Sequence, residues 1–294
     1  MQIGAGILHY RGWPEVRGAI DALLAQTRSP DHLLVFDHAS GDGSTERIRA
    51  AYPDLELVEA PDNRGPSAGE NRMVKALLSR GFDAILVVPE DLELAPDALE
   101  RLAARLEEDS SIGVVGPLIA NKDDRERIFY AGGYVRRHNW SLEFREQPAR
   151  VSEWRDRPPQ AVDFLQTGGA LLRAEAVRQA GHNDERFYYW SDDVDFTLRI
   201  GAHGWRVECV PAAVGWQDFG TPPPYIATRN RLLLVARNAP KRFVARELAR
   251  QLYWLGRDAV NPPGGSRADL WPRLRGVVDF CRGRWGPPPA SLAS

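Results

Sequence analysis

Acidic residues gather at three places in this 294-residue chain where they can do chemistry. The stretch PEDLE sets Glu90, Asp91 and Glu93 close together. An Asp and a Glu two apart in an extended segment point the same way. Asp91 and Glu93 are therefore expected to hold a hard divalent cation through oxygen, leaving its other positions to water and a diphosphate. Such a cation neutralises charge on a departing diphosphate without proton transfer. The same acids also suit a solvated turn, because acids favour helix N-termini.

The second group is FYYWSDDVDFTLRIGAHGW, Phe187 to Trp205. Asp192, Asp193 and Asp195 after Ser191 suit the first turn of a helix capped by that serine, and Asp195 and Arg199 are an i, i+4 pair. This accounts for Asp195 but not for Phe187 to Trp190, since four adjacent aromatics cannot all face one core. Trp190 is expected on a concave sugar-binding surface, with a neighbouring carboxylate taking a proton from an acceptor hydroxyl.

The third group, DHASGDGS, runs from Asp37 to Ser44. Asp42-Gly43 is a turn dipeptide and Ser44 an N-cap candidate. Asp37 is placed to accept the imide N–H of a uracil or thymine ring. His9 and His38 are expected to line the same pocket.

These groups need a scaffold that brings them together. Ile3–Leu8, Leu33–Phe36, Leu55–Glu59, Ala84–Val88 and Ile112–Val115 are apolar runs of strand length. Helical patterns separate them: Pro14 opens one with Val16, Ile20, Leu23 and Leu24 on one face, Ser44–Ala51 and Ser67–Ser79 form two more, and Pro96 opens one with Leu99, Leu102, Ala103 and Leu106 on one face. The alternation predicts a mostly parallel sheet covered on both faces, with ligands at the carboxyl ends of its strands. Farther on, Phe129–Val135, Val162–Leu172 and Trp205–Val210 read as strands and Asp192–Gly201 as a helix. Gly168-Gly169 marks a bulge or close backbone approach, and Arg136–Pro159 a long loop over the site.

Composition narrows the class. A chain 43% hydrophobic and 27% charged buries a core, which excludes a disordered chain. No stretch approaches the roughly 20 apolar residues of a membrane span, and the N-terminus lacks a basic n-region, which speaks against a signal peptide. Cys209 and Cys281 build no disulfide framework and read as buried small hydrophobes, so a cytoplasmic location is expected. The net charge of −2 conceals a basic segment, Arg237 to Arg284, with eleven basic against four acidic residues. In it Phe243, Leu248, Leu252 and Leu255 form an expected apolar stripe, and Pro262-Pro263-Gly264-Gly265 a break. The stripe packs on the body or, alternatively, meets the inner face of the plasma membrane and a lipid-linked acceptor. No nucleic-acid partner is expected.

Taken in order, DHASGDGS, DNRGPSAGEN, PEDLELAPDAL, FLQTGGALL, DERFYYWSDDVDFTLRIGAHGW and YIATRN resemble the family 2 glycosyltransferases of GT-A fold, especially the bacterial rhamnosyltransferase-like branch. The resemblance implies an α/β GT-A fold over residues 1–238, with a nucleotide-binding half (1–118), an acceptor-binding half (119–238) and a basic helical tail (239–294). It implies Asp37 on the base, Asn63 in a loop bordering the nucleotide, and Asp91 as the metal-binding acid of a DxD-like motif ending in Glu93. It also implies Asp193 as general base with Asp192 beside it, inversion at the anomeric carbon, Mn2+ or Mg2+ as cofactor, and a UDP- or dTDP-sugar as donor. The acceptor is a hydroxyl of a polysaccharide, a lipid-linked sugar or a small molecule. Gln217 stands where the family often has a metal-binding histidine, and its amide oxygen is a weaker ligand. That departure motivates a rival, a degenerate member that binds nucleotide or glycan without turnover. A nicotinamide enzyme is disfavoured, because no GxGxxG opens the first helix.

Overall fold

Unbroken apolar runs and amphipathic segments alternate along the chain, and most become the element their length permits. The computed structural model describes residues 1–144, 149–218, 220–262 and 266–292. The first part runs β1 (Ile3–His9), α1 (Trp13–Leu24), β2 (His32–Asp37), α2 (Ser44–Ala51), β3 (Glu56–Glu59), α3 (Pro66–Leu78), β4 (Ala84–Pro89), β5 (Glu93–Leu94), α4 (Ala98–Glu108) and β6 (Ile112–Asn121). Next come β7 (Ile128–Tyr130), β8 (Gly133–Arg136), β9 (Ser141–Phe144), α5 (Val151–Trp154), β10 (Gln160–Ala161), β11 (Leu171–Arg173), α6 (Ala174–Ala180), α7 (Asp192–Ala202) and β12 (Arg206–Gln217). Three helices close the chain: α8 (Pro224–Asn238), α9 (Lys241–Val260) and α10 (Leu270–Cys281).

Ten strands form one sheet with the main path β10-β12-β6-β11-β4-β1-β2-β3. β1 pairs in parallel with β2 and β4, β2 with β3, and β6 with β12, while β11 is antiparallel to both β4 and β6. Two antiparallel steps restore direction, so β1, β2, β4, β6 and β12 all end on one edge. His9, Asp37, Pro89, Asn121 and Gln217 therefore share that edge. Buried Ile3, Ile7, Leu34, Leu86, Val114 and Leu171 fill the sheet interior.

One long-range contact locks this half. Asp97 precedes α4 but makes no capping bond. Buried Gln26 accepts from the Leu99 amide at 2.9 Å and donates to Ala95 O at 2.8 Å. A side chain at the end of α1 thus satisfies a helix-start donor that would otherwise lack a partner.

Several expectations need correction. Val162–Leu172 is not one strand: Leu171–Arg173 forms β11, Phe164 makes an isolated bridge to Gly133, and between them lies a turn closed by Ala170 N donating to Thr167 O at 2.9 Å. Phe129–Val135 is two strands broken at Gly132, whose φ is 83°. The expected loop Arg136–Pro159 contains β9 and α5, with residues 145–148 outside the described set. Ser44 is the first residue of α2 and Gly43 its cap. Cys281 is exposed, while Cys209 is buried as expected.

The tail packs differently from the expected stripe. α9 buries Phe243, Glu247, Gln251 and Asp258, and Leu252 is 50% exposed. Its buried acids are met by arginines: Arg250 contacts Glu247, and Arg257 and Arg273 contact Asp258. Burying a polar helix face is tolerable only with such pairing. The break at Pro262-Pro263-Gly264-Gly265 lies outside the described residues beyond Pro262. Among the described residues no helix is long and apolar enough to cross a membrane.

α10 lies against α8 at Gly276, where a Cβ would sit 2.8 Å from Tyr225 O and 3.2 Å from Arg229 N. Both are backbone atoms and cannot turn aside. Gly276→Ala is expected to destabilise the protein by about 1–3 kcal/mol, seen as a Tm several degrees lower in thermal unfolding.

Candidate active site

A cavity of about 520 Å³ opens at the shared strand edge, with Asp91, Gln217, Asp193, Asp192, Trp190 and Glu70 on its walls. Its floor forms where β4 and β12 end. Gln217 Nε2 donates to Asp91 Oδ1 at 2.8 Å, and Gln166 Nε2 donates to Gln217 Oε1 at 3.3 Å. Burial pushes the Asp91 pKa up, against the Gln217 hydrogen bond, and nearby Asp218 adds to the rise. A positive neighbour would stabilise this carboxylate.

Glu93 does not join it. The chain turns at Glu90 and Asp91, with Leu92 N donating to Pro89 O at 3.1 Å, so the two-residue alternation of an extended segment does not apply. Glu93 instead pairs with Lys122 at 3.3 Å and Arg125 at 2.8 Å. The expectation of an Asp91–Glu93 cation pair, and of Glu93 on the donor, is corrected accordingly. Asp91 and Asp218 line the cavity with carboxylate oxygens, which suit a hard cation, whereas Gln217 turns its amide nitrogen to Asp91 and its oxygen to Gln166 and would have to flip its amide to serve as a ligand. Among the described residues no three His, Cys, Asp or Glu side chains cluster as a self-sufficient metal cage.

The opposite wall is the N-terminus of α7. Tyr188, Trp190 and Ser191 have φ of 70°, 68° and 72°, a left-handed conformation that costs non-glycine residues energy. Long-range bonds hold them. Asn230 Nδ2 donates to the carbonyls of Phe187, Tyr189 and Trp190 at 3.0, 2.7 and 2.8 Å, and Arg229 Nη2 donates to Phe187 O at 3.0 Å. Ser67 N and Oγ donate to Tyr188 O at 3.0 and 2.8 Å. Gly65 admits the Tyr188 ring, because a Cβ there would lie 2.3 Å from it. Phe187 is thereby buried, Tyr189 and Trp190 face the cavity, and Trp190 stays 40% exposed. Ser191 occupies the cap position without a side-chain capping bond, contrary to expectation, because its left-handed backbone differs from the extended geometry that a serine cap uses.

The three acids of α7 then part company. Asp195 is fully buried and saturated by Arg199 at 2.9 Å, Arg237 at 2.8 Å and Asn238 at 2.7 Å. Asp192 Oδ2 lies 2.6 Å from Ser67 Oγ and shares its single hydroxyl hydrogen with Tyr188 O. Asp193 accepts from the adjacent Val194 amide at 2.7 Å, and among the described residues no side chain donates to it. It keeps part of its surface open to the cavity, yet enough protein surrounds it to push its pKa up to about 8, with Asp192 and Glu70 reinforcing the rise. Glu70 is itself raised to about 7 by burial and by Asp192, and it accepts from Asn183 at 2.8 Å and Thr167 at 3.0 Å.

Glu70 escaped the sequence reading. The available signal was its place on the inward stripe of α3, with buried Ser67, Asn71, Val74 and Leu77. The roles of Arg229 and Asn230 were also missed, although YIATRN was noticed. Nothing local announces that their partners lie some forty residues away.

Asp37 stands apart, in a cavity of about 370 Å³ with Ala39, Gly41, Gly43, Glu59 and Ala60. Its carboxylate accepts from both the hydroxyl and the amide of Ser40. His9 and His38 are 0% and 1% exposed, so they brace the walls instead of lining them. His9 bridges Glu90 Oε2 at 2.5 Å and Ser44 Oγ at 2.7 Å, tying the end of β1 to the turn after β4 and the start of α2. His38 Nε2 accepts from Arg64 N at 3.2 Å, and burial lowers its pKa, which keeps it a neutral acceptor. Asn63 is exposed, and its Oδ1 accepts from Gly65 N at 2.8 Å, shaping the turn into α3.

Comparison with known proteins agrees with this fold. Residues 6–180 match the family model described as glycosyl transferase family 2. The chain is similar to the N-acetylglucosaminyl-diphospho-decaprenol L-rhamnosyltransferase of Mycobacterium tuberculosis, with 26% identity over 226 residues, 69% of this chain and 72% of the relative. It is 27% identical over 201 residues to galactofuranosyltransferase GlfT1 of the same species, 67% of this chain and 63% of that one. Among solved structures, S. aureus TarS 1–349 in complex with UDP-GlcNAc superposes with a TM-score of 0.63 at 14% identity, over 96% of this chain and 81% of that one. GalNAc-T7 with UDP, GalNAc and Mn2+ gives a TM-score of 0.62 at 14% identity, over 96% of this chain and 56% of that one. At such identity these likenesses establish the GT-A fold alone.

The raised Asp193 pKa has a stability consequence. An unfolded Asp titrates near 3.9, so between about pH 4 and pH 8 the native state holds a proton the unfolded state has lost. The stability tied to that proton is full below pH 4 and is lost as pH rises through about 8. Asp193→Asn avoids that loss. The Tm difference between variant and wild type is expected to widen in the variant's favour from pH 5 to pH 9 in a thermal-unfolding series.

Proposed function

The chain belongs to glycosyl transferase family 2 and is a glycosyltransferase, and from that premise we propose that it works by metal-assisted, inverting displacement on a nucleotide-diphosphate sugar. The observation that carries this reading is one cavity holding the carboxylate and amide pair Asp91–Gln217 on one wall and a nearly unpartnered Asp193 on the other. One wall suits a leaving diphosphate and the other an incoming hydroxyl.

In this reading residues 1–118 hold the donor, residues 119–238 supply the acceptor side, and residues 239–294 form a basic tail whose α9 and α10 pack on α8. Asp37 accepts the imide N–H of a uracil or thymine, and the loop at Asn63 borders the nucleotide. Asp91 and Asp218 would hold Mn2+ or Mg2+, joined by Gln217 once its amide flips to turn the oxygen toward Asp91. The bound ion supplies charge neutralisation for the diphosphate. Trp190 and Asp192 border the acceptor. Asp193 accepts the proton of the acceptor hydroxyl as its oxygen bonds to the anomeric carbon and the bond to the diphosphate breaks. A carboxylate raised toward neutrality is a stronger base than an exposed one, which suits it to this step.

The relatives' names point to donor and acceptor classes: one names a rhamnosyl transfer and a diphospho-decaprenol, and a structural neighbour carries UDP-GlcNAc. A UDP- or dTDP-sugar donor and a lipid-linked sugar acceptor are the corresponding proposal here. Leu252, Tyr253, Val260, Trp271 and Leu274 are exposed on α9 and α10 among basic side chains, which suits a peripheral contact with the inner face of an anionic membrane. Sedimentation with phosphatidylglycerol vesicles is expected to pull the protein down at low salt, and Tyr253→Glu with Trp271→Glu to release it.

Thermal unfolding with UDP or dTDP, with and without Mn2+, tests the donor site. Saturation at about 100 times Kd adds about 2.7 kcal/mol. The shift is expected to need the metal and to vanish in Asp91→Asn. In a transfer assay kcat/KM is expected to rise with pH through about 8, as Asp193 loses its proton. Asp193→Asn should keep the nucleotide shift while lowering kcat by about 100- to 10,000-fold. Wild-type turnover in that variant would remove Asp193 as the base.

A further inference from the structure

The turn joining β8 to β9 meets the helical tail at a second, small cavity of about 60 Å³, with Trp140, Arg231, Arg246, Glu247 and Arg250 on its walls. Trp140 in that turn has φ of 58°, and its carbonyl accepts from Arg231 Nη2 at 2.7 Å, which pins the hairpin to α8. Arg231 is 17% exposed and lies 3.6 Å from the carboxylate of Glu247. Arg250 pairs with the same carboxylate at 2.7 Å. Arg246 is exposed and has no acidic partner among the described residues.

Three guanidiniums thus line a cavity that holds one carboxylate, and two of them already share it. Burial and the neighbouring Arg250 both work against the charge of Arg231, so an anion seated here would be welcome. The cavity lies far below the roughly 300 Å³ at which small-molecule pockets begin. Its occupant is therefore a compact anion and not a sugar ring or a base. Guanidiniums favour phosphate among such groups, because its oxygens accept paired N–H donors.

Position tells which phosphate this is. β9 runs from Ser141, on the small cavity, to Phe144, on the wall of the large one, a distance of about 10 Å along an extended strand. In the other direction Arg246, Arg250 and Tyr253 fall at i, i+4 and i+7 on one face of α9. Tyr253, 66% exposed, stands about 10 Å along the helix axis from Arg246. Sugar cavity, arginine cavity and exposed apolar surface follow one another. A sugar joined to a lipid through phosphate has the same three parts in the same order.

We propose that the cavity between the β8–β9 turn and α9 is a phosphate site for the acceptor: Arg231, Arg246 and Arg250 bind the phosphate that joins the acceptor's sugar to its lipid, so that the enzyme selects a phosphate-linked sugar lipid over an uncharged glycoside. This rests on the transferase reading above and gives its lipid-linked acceptor a recognition site.

The test uses neutral detergent micelles, with UDP-glucose, UDP-N-acetylglucosamine and dTDP-rhamnose as donors and nucleoside diphosphate release as the readout. Two acceptor series carry the same sugars, gluco, galacto and N-acetylglucosamine: octyl glycosides, and the octyl esters of the sugar 1-diphosphates. Wild type is expected to show a KM at least tenfold lower for the diphosphate series. Arg246→Gln alters an exposed side chain without a partner, and it should raise that KM about threefold; with Arg250→Gln added the rise should reach about tenfold or more. The KM of the octyl glycosides should stay within twofold, and the UDP-dependent shift in Tm should persist. Binding is read separately by calorimetry with octyl diphosphate, with and without saturating UDP and Mn2+, and the double variant should bind about tenfold more weakly. Equal KM for the two series in wild type, equal losses with both series in the variants, or octyl diphosphate binding unchanged by the double variant overturns the proposal. Loss of sedimentation with phosphatidylglycerol vesicles at unchanged KM in micelles also overturns it and assigns the cavity to bulk headgroups. UDP stabilisation without octyl diphosphate binding removes this site and leaves the donor site standing. Absence of UDP stabilisation removes the donor reading, and the calorimetry still decides the site.

Discussion

The site depends on a strained turn held shut. Three residues between Phe187 and Asp192 adopt left-handed backbone without being glycine, each at a cost of about 1–3 kcal/mol. The side-chain amide of Asn230, the guanidinium of Arg229 and both donors of Ser67 meet the carbonyls of that turn. Relaxed, the turn would swing the first residues of α7 away from the strand edge. Held, it faces Trp190 and Asp193 toward the pair at Asp91. The donors come from α3 and α8, so the turn needs the finished fold in order to exist.

Partners, not sequence position, decide what each acid does. Asp193 and Asp195 are two residues apart on one helix. Asp195 has two arginines and an asparagine and is spent on holding α7 to α8. Asp193 has one adjacent amide and two acidic neighbours, so its charge is poorly compensated. The same contrast separates Asp91 from Glu93, one paired with a neutral amide at the cavity and the other neutralised by Lys122 and Arg125. An acid left without a cation inside a fold is costly. Its placement beside a gap is where a ligand or an ion returns that cost.

The alternation of strands and helices was legible because its cause is local: apolar runs of strand length and stripes at helical spacing state which face is buried. The strand-edge placement of Asp37 and Asp91 followed from the same logic, as did the exposure of Trp190 from a run too aromatic for one core, whereas Gln217 came from the resemblance, its strand running seven residues past the expected Val210. What escaped the sequence was set by distant partners. Glu93 diverged because a turn broke the extended geometry, and Val162–Leu172 lost most of its strand to the turn at Thr167–Gly169. Glu70 was hidden as one acid in a helix of small residues. The histidines looked like pocket lining, but His9 spends both nitrogens on Glu90 and Ser44.

Arg229 spans more than the turn it helps to pin. While Nη2 binds Phe187 O, Nη1 donates to Gly286 O at 2.7 Å, beyond α10, and its neighbour Tyr225 hydrogen-bonds Asp279 at 3.1 Å. One buried guanidinium therefore grips the turn before α7 with one hand and the C-terminal segment with the other. Such a shared fastener obeys reciprocity: whatever changes the grip at one end alters the free energy at the other by the same amount. A surface or partner that seats the tail would thus stiffen the turn at the mouth of the cavity, and a bound substrate that stiffens the turn would seat the tail. Address and activity are then two readings of one contact.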